Sequence, residues 1–401
     1  MNVQKMPMMQ KHLLGAMFGK IKKGGLCVQY WDGEEAVYGD TKPAVKIIFH
    51  KPPAALFQTE DPLLALGEAY MDRYIDYEGN LEDILLLFEN NREFTVPATV
   101  VAKVLQLTGR FSDRTQAKEN IRRHYDLGND FFSLWLDDTL SYSCAYFRQP
   151  DDSLRQAQVQ KIDHVLKKLN LKAGETLLDI GSGWGWLIIK AAQDYGVKAM
   201  GITLSEEQHR KTEDRIASLG LSGQVRVALL NYLDLDAKQY QFDKIASVGM
   251  FEHVGKANIP AYLAKTSSLL KTGGLMLLHS IIGYREDQPD NSWMKTYIFP
   301  GGYIPTLREI IGYLPENDFH LLQAESLRLH YAMTLDQWYL NFAKHLDQVR
   351  DKFGDRFCRM WELYLKGCAA SFRSTGLDVY QLLLSKDLNN HLPLTFEAIY
   401  R

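Results

Sequence analysis

The 401-residue chain reads as an α/β protein, with a seven-stranded, mostly parallel sheet covered by helices and a small α+β unit in front of it. Three observations predict this. From Thr176 to Ser280, short apolar runs alternate with helix-length segments, the pattern of a parallel sheet buried on both faces. A turn carrying Gly181, Gly183 and Gly185 joins the first of those runs to the next helix. Ahead of Thr95 the chain changes character, and short polar–apolar alternations are broken by Gly and Pro.

At the N-terminus Leu13, Leu14, Met17, Phe18 and Ile21 recur at helical spacing, beside Lys5, Lys11, Lys20, Lys22 and Lys23. Two readings stay open: an interfacial helix lying on anionic lipid, or a helix docked on its own domain with its lysines in water. Short strands are expected at Cys27–Trp31 and Val45–Phe49, and helices from Pro62 to about Asp72 and from Asn80 to about Asn91. Residues 1–95 are read as a separate N-terminal domain, lipid-binding in the first of these readings, 96–121 as a charged helical linker, and 122–401 as the main α/β domain. After a helix at Asp152–Leu169, strands are expected at Thr176–Ile180, Lys198–Thr203, Val225–Leu229, Asp243–Val248 and Gly274–Ser280. Helices at Trp186–Tyr195, Glu206–Leu219 and Ile259–Leu270 separate them. Phe319–Leu327 and Leu329–Met333 are expected to supply the last two strands, and helices at Leu335–Phe353 and Arg356–Gly376 are inserted near the end.

Composition narrows the function classes. The balance of 46 basic against 49 acidic residues leaves a net charge of −3, without the basic excess of a dedicated nucleic-acid binder. Four scattered cysteines show neither C-x-x-C nor metal-ligand spacing, which suits a reduced cytoplasmic setting with no metal. No apolar run is long enough to span a bilayer, so association with a membrane would be peripheral.

The most informative run is Leu177–Trp186, Leu-Leu-Asp-Ile-Gly-Ser-Gly-Trp-Gly-Trp. Glycines at the carboxyl end of a first strand let the backbone turn tightly and approach a ligand there. Their spacing is G-x-G-x-G, not the G-x-G-x-x-G of dinucleotide sites. Where such a site holds the ribose with a carboxylate, this chain has Ile202-Thr203-Leu204-Ser205. The run resembles the first motif of S-adenosylmethionine (SAM) methyltransferases, which implies a Rossmann-like class I SAM-dependent fold.

Further strings narrow the resemblance. They are Arg123-His124-Tyr125-Asp126-Leu127-Gly128-Asn129-Asp130, Tyr142-Ser143-Cys144-Ala145-Tyr146-Phe147, Val248-Gly249-Met250-Phe251-Glu252-His253-Val254-Gly255, and Tyr297 through Pro305 (YIFPGGYIP). With Leu278-His279-Ser280-Ile281 and His330-Tyr331, the chain resembles the cyclopropane-fatty-acyl-phospholipid synthases, strongly from about Arg122 onward and more weakly before Thr95. The resemblance implies that a cis double bond in an unsaturated phospholipid acyl chain attacks the SAM methyl group, and that the resulting carbocation loses a proton and closes to a ring. It implies bound bicarbonate as base, cradled by Cys144, Glu252, His279, Ile281 and Tyr331, with Cys144 and Ile281 contributing backbone. It places SAM against Tyr142, Ser143, Gly181, Gly183, Thr203, Leu204 and Gln208, flanked by Trp186 and Tyr232. Where relatives show Asp-Tyr-Arg-Asp after the third strand, this chain has Asn231-Tyr232-Leu233-Asp234. Tyr125, Tyr142, Tyr146, Phe147, Phe251, Tyr297 and Tyr303 are candidates to line an acyl pocket or steady a carbocation. The resemblance also implies a peripheral position on the inner face of the cell membrane and a homodimer. The alternatives are a relative making a methyl-branched lipid or an N-methylated product, and a noncatalytic membrane-binding protein keeping the SAM fold as scaffold.

Overall fold

The computed structural model describes residues 5–53, 61–91, 127–286 and 291–400. The expected linker, the boundary at Thr95 and the string from Arg123 to Asp126, with Tyr125, lie outside the described residues. The chain divides into two compact units, one of Met1–Asp126, Pro289–Pro300 and Ala343–Thr375, the other of Leu127–Gln288, Gly301–Phe342 and Gly376–Arg401.

In the first unit, helix α1 (Lys5–Phe18) precedes strands β1 (Gly25–Gln29), β2 (Glu35–Gly39) and β3 (Val45–Phe49). Helix α2 (Pro62–Met71), strand β4 (Ile75–Glu78) and helix α3 (Leu81–Asn90) follow. The sheet order is β2-β1-β3-β4, parallel only between β1 and β3. Leu14, Phe18 and Ile21 are buried in one core with Leu26, Val28, Ile47, Phe49 and Leu87. Lys11 pairs with Asp32 and Glu34 of the same unit. The apolar stripe that suited either a lipid surface or an internal docking site is thus occupied inside the unit, because burying it against the sheet removes that surface from water.

In the second unit, after helix α4 (Gly128–Ser133), helix α5 (Leu154–Lys168) starts at a capping box in which Ser153 and Gln156 satisfy each other's backbone N–H groups. Strands and helices then alternate: β5 (Thr176–Ile180), α6 (Trp186–Tyr195), β6 (Lys198–Thr203), α7 (Glu206–Ser218), β7 (Val225–Leu229), β8 (Phe242–Val248), α8 (Ile259–Leu269) and β9 (Leu270–Ile282). In chain order there follow α9 (Ser292–Tyr297), α10 (Leu307–Gly312), β10 (Phe319–Ser326), α11 (Arg328–Lys344), α12 (Leu346–Phe353), α13 (Asp355–Ser374) and β11 (Asp378–Lys386), of which α9, α12 and α13 belong to the first unit. The seven strands run β10-β11-β9-β8-β5-β6-β7, and only β11 is antiparallel to its neighbours. Alternate residues feed two cores, Leu177, Ala199, Ala246 and Leu277 on one face, Leu178, Met200, Ile245 and Leu278 on the other.

Two expectations need correction. Leu329–Met333 is not a strand but the start of α11, whose buried Ala332, Leu335, Trp338 and Phe342 recur every three or four residues. The seventh strand is Asp378–Lys386, a nearly continuous buried apolar run inserted between β9 and β10. The inserted helix α13 also belongs to the first unit rather than to the sheet. It packs on α2 and α3, and its Arg359 donates to the Tyr70 and Ile75 carbonyls while stacking on the Tyr70 ring.

Candidate active site

The strand order reverses between β5 and β8, so the loops leaving those strands diverge and open a crevice at their carboxyl ends. Three segments meet there. The turn after β5 is tied to β6, with the Gly181 and Ser182 N–H groups both donating to the Ile202 carbonyl at 3.0 Å. Gly181 has φ 81°, and a Cβ on it would stand 2.8 Å from Met250 in the turn after β8. A Cβ on Gly249 would lie 3.4 Å from the Ser143 side chain, which brings in the third segment. Gly185, at φ 82°, lets α6 approach α7, since a Cβ there would stand 2.3 Å from Thr212. A Cβ on Gly183 would meet nothing within 4 Å, so this glycine leaves the backbone open to a ligand.

Polar groups complete the crevice. Thr203 Oγ1, at the end of β6, donates to Gln208 Oε1 at 2.7 Å and accepts from the Ser205 N–H. Leu204 beside it is 73 % exposed. Asp179 is buried and its Oδ1 has no hydrogen-bond partner; burial pushes its carboxyl up to about 7. The Tyr142 ring lies 5.3 Å from both Trp135 and Trp338 and 5.5 Å from Phe132. Aromatic faces of this kind attract cations such as a sulfonium. An open glycine turn, neutral hydrogen-bonding groups and aromatic faces fit SAM.

The Trp186 and Tyr232 rings have partners of their own. The Arg215 and Arg155 guanidinium groups lie 4.8 and 5.6 Å from the Trp186 ring centre, a poor setting for a second cation. Tyr232 packs on Tyr262 against the core. Asn231, where the resemblance leads one to expect a carboxylate, caps the turn Tyr232–Asp234 by accepting from the Leu233 N–H.

The five residues of the expected anion cradle lie on segments joined by strand pairing and hydrogen bonds. Glu252, in the 3₁₀ turn after β8, accepts from the Ile281 N–H at 2.7 Å through Oε1. Its Oε2 is buried with no partner, and burial raises the carboxyl above its ordinary range, favouring the protonated form. Ile281 therefore gives its N–H to Glu252. Ile281 pairs with Val379, whose carbonyl accepts from Leu327, and the Leu327 carbonyl in turn receives both the Cys144 thiol and the Tyr331 N–H. His279 lies one inward-facing step from Ile281 on β9, buried, with Nδ1 3.2 Å from Gln381 Nε2. Desolvation holds its imidazole neutral, well below its ordinary value. Burial pushes the Cys144 thiol up, so sulfur is not a thiolate here and only its backbone suits an anion. An unpartnered, readily protonated carboxyl oxygen has the chemistry to share a proton with an oxyanion.

Of the aromatic candidates, Tyr142 alone joins the ring cluster. Phe251 packs on Tyr262 in the core, and Tyr146 is stacked with His164 and His330. Phe147 is buried with Ala145 and Ala157, the Tyr303 hydroxyl bonds Glu309, and Tyr297 belongs to the first unit with its hydroxyl on Glu68. Two further residues enter, Asn129 from the string that ends at Asp130 and Gln158, which lies in no motif. Asn129 accepts from Trp184 Nε1 and donates to Glu207, and Gln158 donates to the Ser141 and Ser143 carbonyls. The available signal for Gln158 was a polar residue inside the buried stripe Leu154, Ala157, Ile162, Val165 of α5.

A sheet in this order, with a glycine turn after its first strand and neutral polar groups after its second, defines a class I SAM-dependent methyltransferase. The model of one family, mycolic acid cyclopropane synthetase, matches residues 112–382, and a domain of unknown function matches 13–98. The chain belongs to the mycolic acid cyclopropane synthetase family. It is 37% identical to a "Probable fatty acid methyltransferase" of Pseudomonas putida, over 94% of this chain and 96% of that one. It is 36% identical to the cyclopropane-fatty-acyl-phospholipid synthase of Escherichia coli K12, over 82% of this chain and 85% of that one. Among solved structures, the mycolic acid cyclopropane synthase CmaA1 in complex with SAH and CTAB matches at TM-score 0.62 and 36% identity, covering 67% of this chain and 98% of that one.

Proposed function

We propose that this methyltransferase makes cyclopropane fatty acyl chains on unsaturated phospholipid. The π pair of a cis double bond takes the SAM methyl carbon, the C–S pair stays on sulfur to give S-adenosylhomocysteine, and a positive charge forms on the chain. The transferred carbon then gives up a proton, and its C–H electron pair closes the ring. Bicarbonate, when bound, supplies the base for that proton. Glu252, His279 and Tyr331 hold it by side chain and Cys144 by backbone, while Ile281 fixes Glu252. The observation that carries this reading is Glu252, one carboxyl oxygen fixed by Ile281 and the other buried without a partner. A site built only to methylate an amine has no need of such a buried acid. No described helix is long and apolar enough to cross a membrane; in this reading the substrate is reached from a membrane surface, the inner face. A homodimer is part of the same proposal.

A second reading, a methyl-branched lipid, is favoured by the name of the Pseudomonas relative. Incubation with unsaturated phosphatidylethanolamine vesicles and SAM tests both. The proposal expects each modified acyl chain to gain one CH₂ with its hydrogenation-sensitive double bond gone. No gain of mass, or a gain on the headgroup, would overturn it.

A further inference from the structure

Lys161 is a buried ammonium that the site described so far does not use. It lies in α5, only 4 % exposed, and donates to Ser143 Oγ at 2.9 Å. Among the described residues it has no ion pair, whereas the buried Lys168 and Lys244 each face a carboxylate, Glu325 and Glu175. An unpaired buried charge is costly, and a fold retains one where an anion arrives to pair with it. Burial brings this ammonium down to about 8, with Asp137, Cys144 and Asp179 the titratable groups whose fields reach it.

Position decides which anion. Ser143, the group Lys161 touches, faces the turn after β8 across Gly249, inside the SAM crevice. Gln158, one turn before Lys161 in α5, fixes the Ser141 and Ser143 carbonyls from the same side. Asp179, with its unpartnered Oδ1, stands at the end of β5 directly before the glycine turn. SAM carries a carboxylate on its amino-acid end. We propose that Lys161, together with the Ser143 hydroxyl, binds the carboxylate of SAM and so selects the amino-acid end of the cosubstrate.

The experiment is calorimetric titration of the full chain with SAM and with decarboxylated SAM, which keeps the sulfonium and the amine. Lys161→Met should lower SAM affinity about 10- to 100-fold, the worth of one hydrogen bond to a charged group, and leave decarboxylated SAM unchanged. Its melting temperature without ligand should hold or rise, because an unpaired buried charge has been removed. Ser143→Ala should show a smaller loss of the same kind, and is read in the same way if Lys161→Met does not fold. Equal losses for the two ligands would make Lys161 merely structural. Unchanged SAM affinity with a raised bicarbonate requirement would assign it to the anion cradle. Either result overturns the proposal.

Discussion

Replacing Glu252 separates its two jobs. Through Oε1 it satisfies the Ile281 N–H at 2.7 Å, and through the buried Oε2 it faces the proposed anion. Glu252→Gln keeps an acceptor for Ile281 and offers an amide N–H where the acid O–H stood. The change exchanges a proton-sharing bond for a neutral one about half as strong, a loss of about 1–2 kcal/mol or roughly tenfold in kcat. Glu252→Ala removes both groups. It leaves the Ile281 N–H unpaired, about 1–3 kcal/mol of stability, and deletes a donor to an oxyanion, about 10²–10³ in kcat. Thermal melts, SAM calorimetry and turnover on vesicles at saturating SAM measure the three quantities separately. SAM affinity should be unchanged in both variants. Affinity falling in step with kcat, or Gln costing as much stability as Ala, would refute the assignment of Glu252 to the anion.

Gly183→Ala should cost only the left-handed backbone, about 1–2 kcal/mol, while sharply weakening SAM binding. Gly185→Ala adds a clash with Thr212, about 1–3 kcal/mol more, so melts should rank it the less stable of the two. His279 stays neutral when folded, whereas the unfolded imidazole takes up a proton below its ordinary value of 6.5. Stability therefore falls as pH drops below 6.5, and His279→Gln should narrow the difference between melts at pH 7 and pH 5; an unchanged difference would remove His279 from that account. Arg359→Met should destabilise the first unit by about 2–3 kcal/mol, since Arg359 holds the Tyr70 and Ile75 carbonyls and Asp76. Chemical denaturation followed by tryptophan fluorescence would show the loss, and SAM calorimetry should show no change.

Half of the central sheet was legible because β5, β6, β7 and β8 are short runs of five to seven residues in regular alternation with other segments, and they fall close to where periodicity put them. β11 was missed for a physical reason. A strand buried on both faces has no alternation, and Val379–Leu384 follows a long helix where another helix segment reads equally well. Leu329–Met333 looked strand-like over five residues, and only the longer stripe through Phe342 reveals a helix. Glycine positions and Glu252 were readable because turns and stranded carboxyls violate their local pattern. Lys161 and Gln158 were not, because on an amphipathic helix a lysine or glutamine reads as solvent-facing until the packing of α5 on the Ser141–Ser143 loop is known. Membership of α13 in the first unit is likewise set by contacts between segments far apart in the chain.

The central claim is the fate of the methyl carbon. SAM carrying carbon-13 in its methyl group, incubated with the enzyme and unsaturated phospholipid vesicles, lets NMR read that carbon directly in the extracted lipid. The expected result is a cyclopropane methylene, its two protons inequivalent and far upfield. The label in a branch methyl, a terminal methylene or an N-methyl group would contradict it.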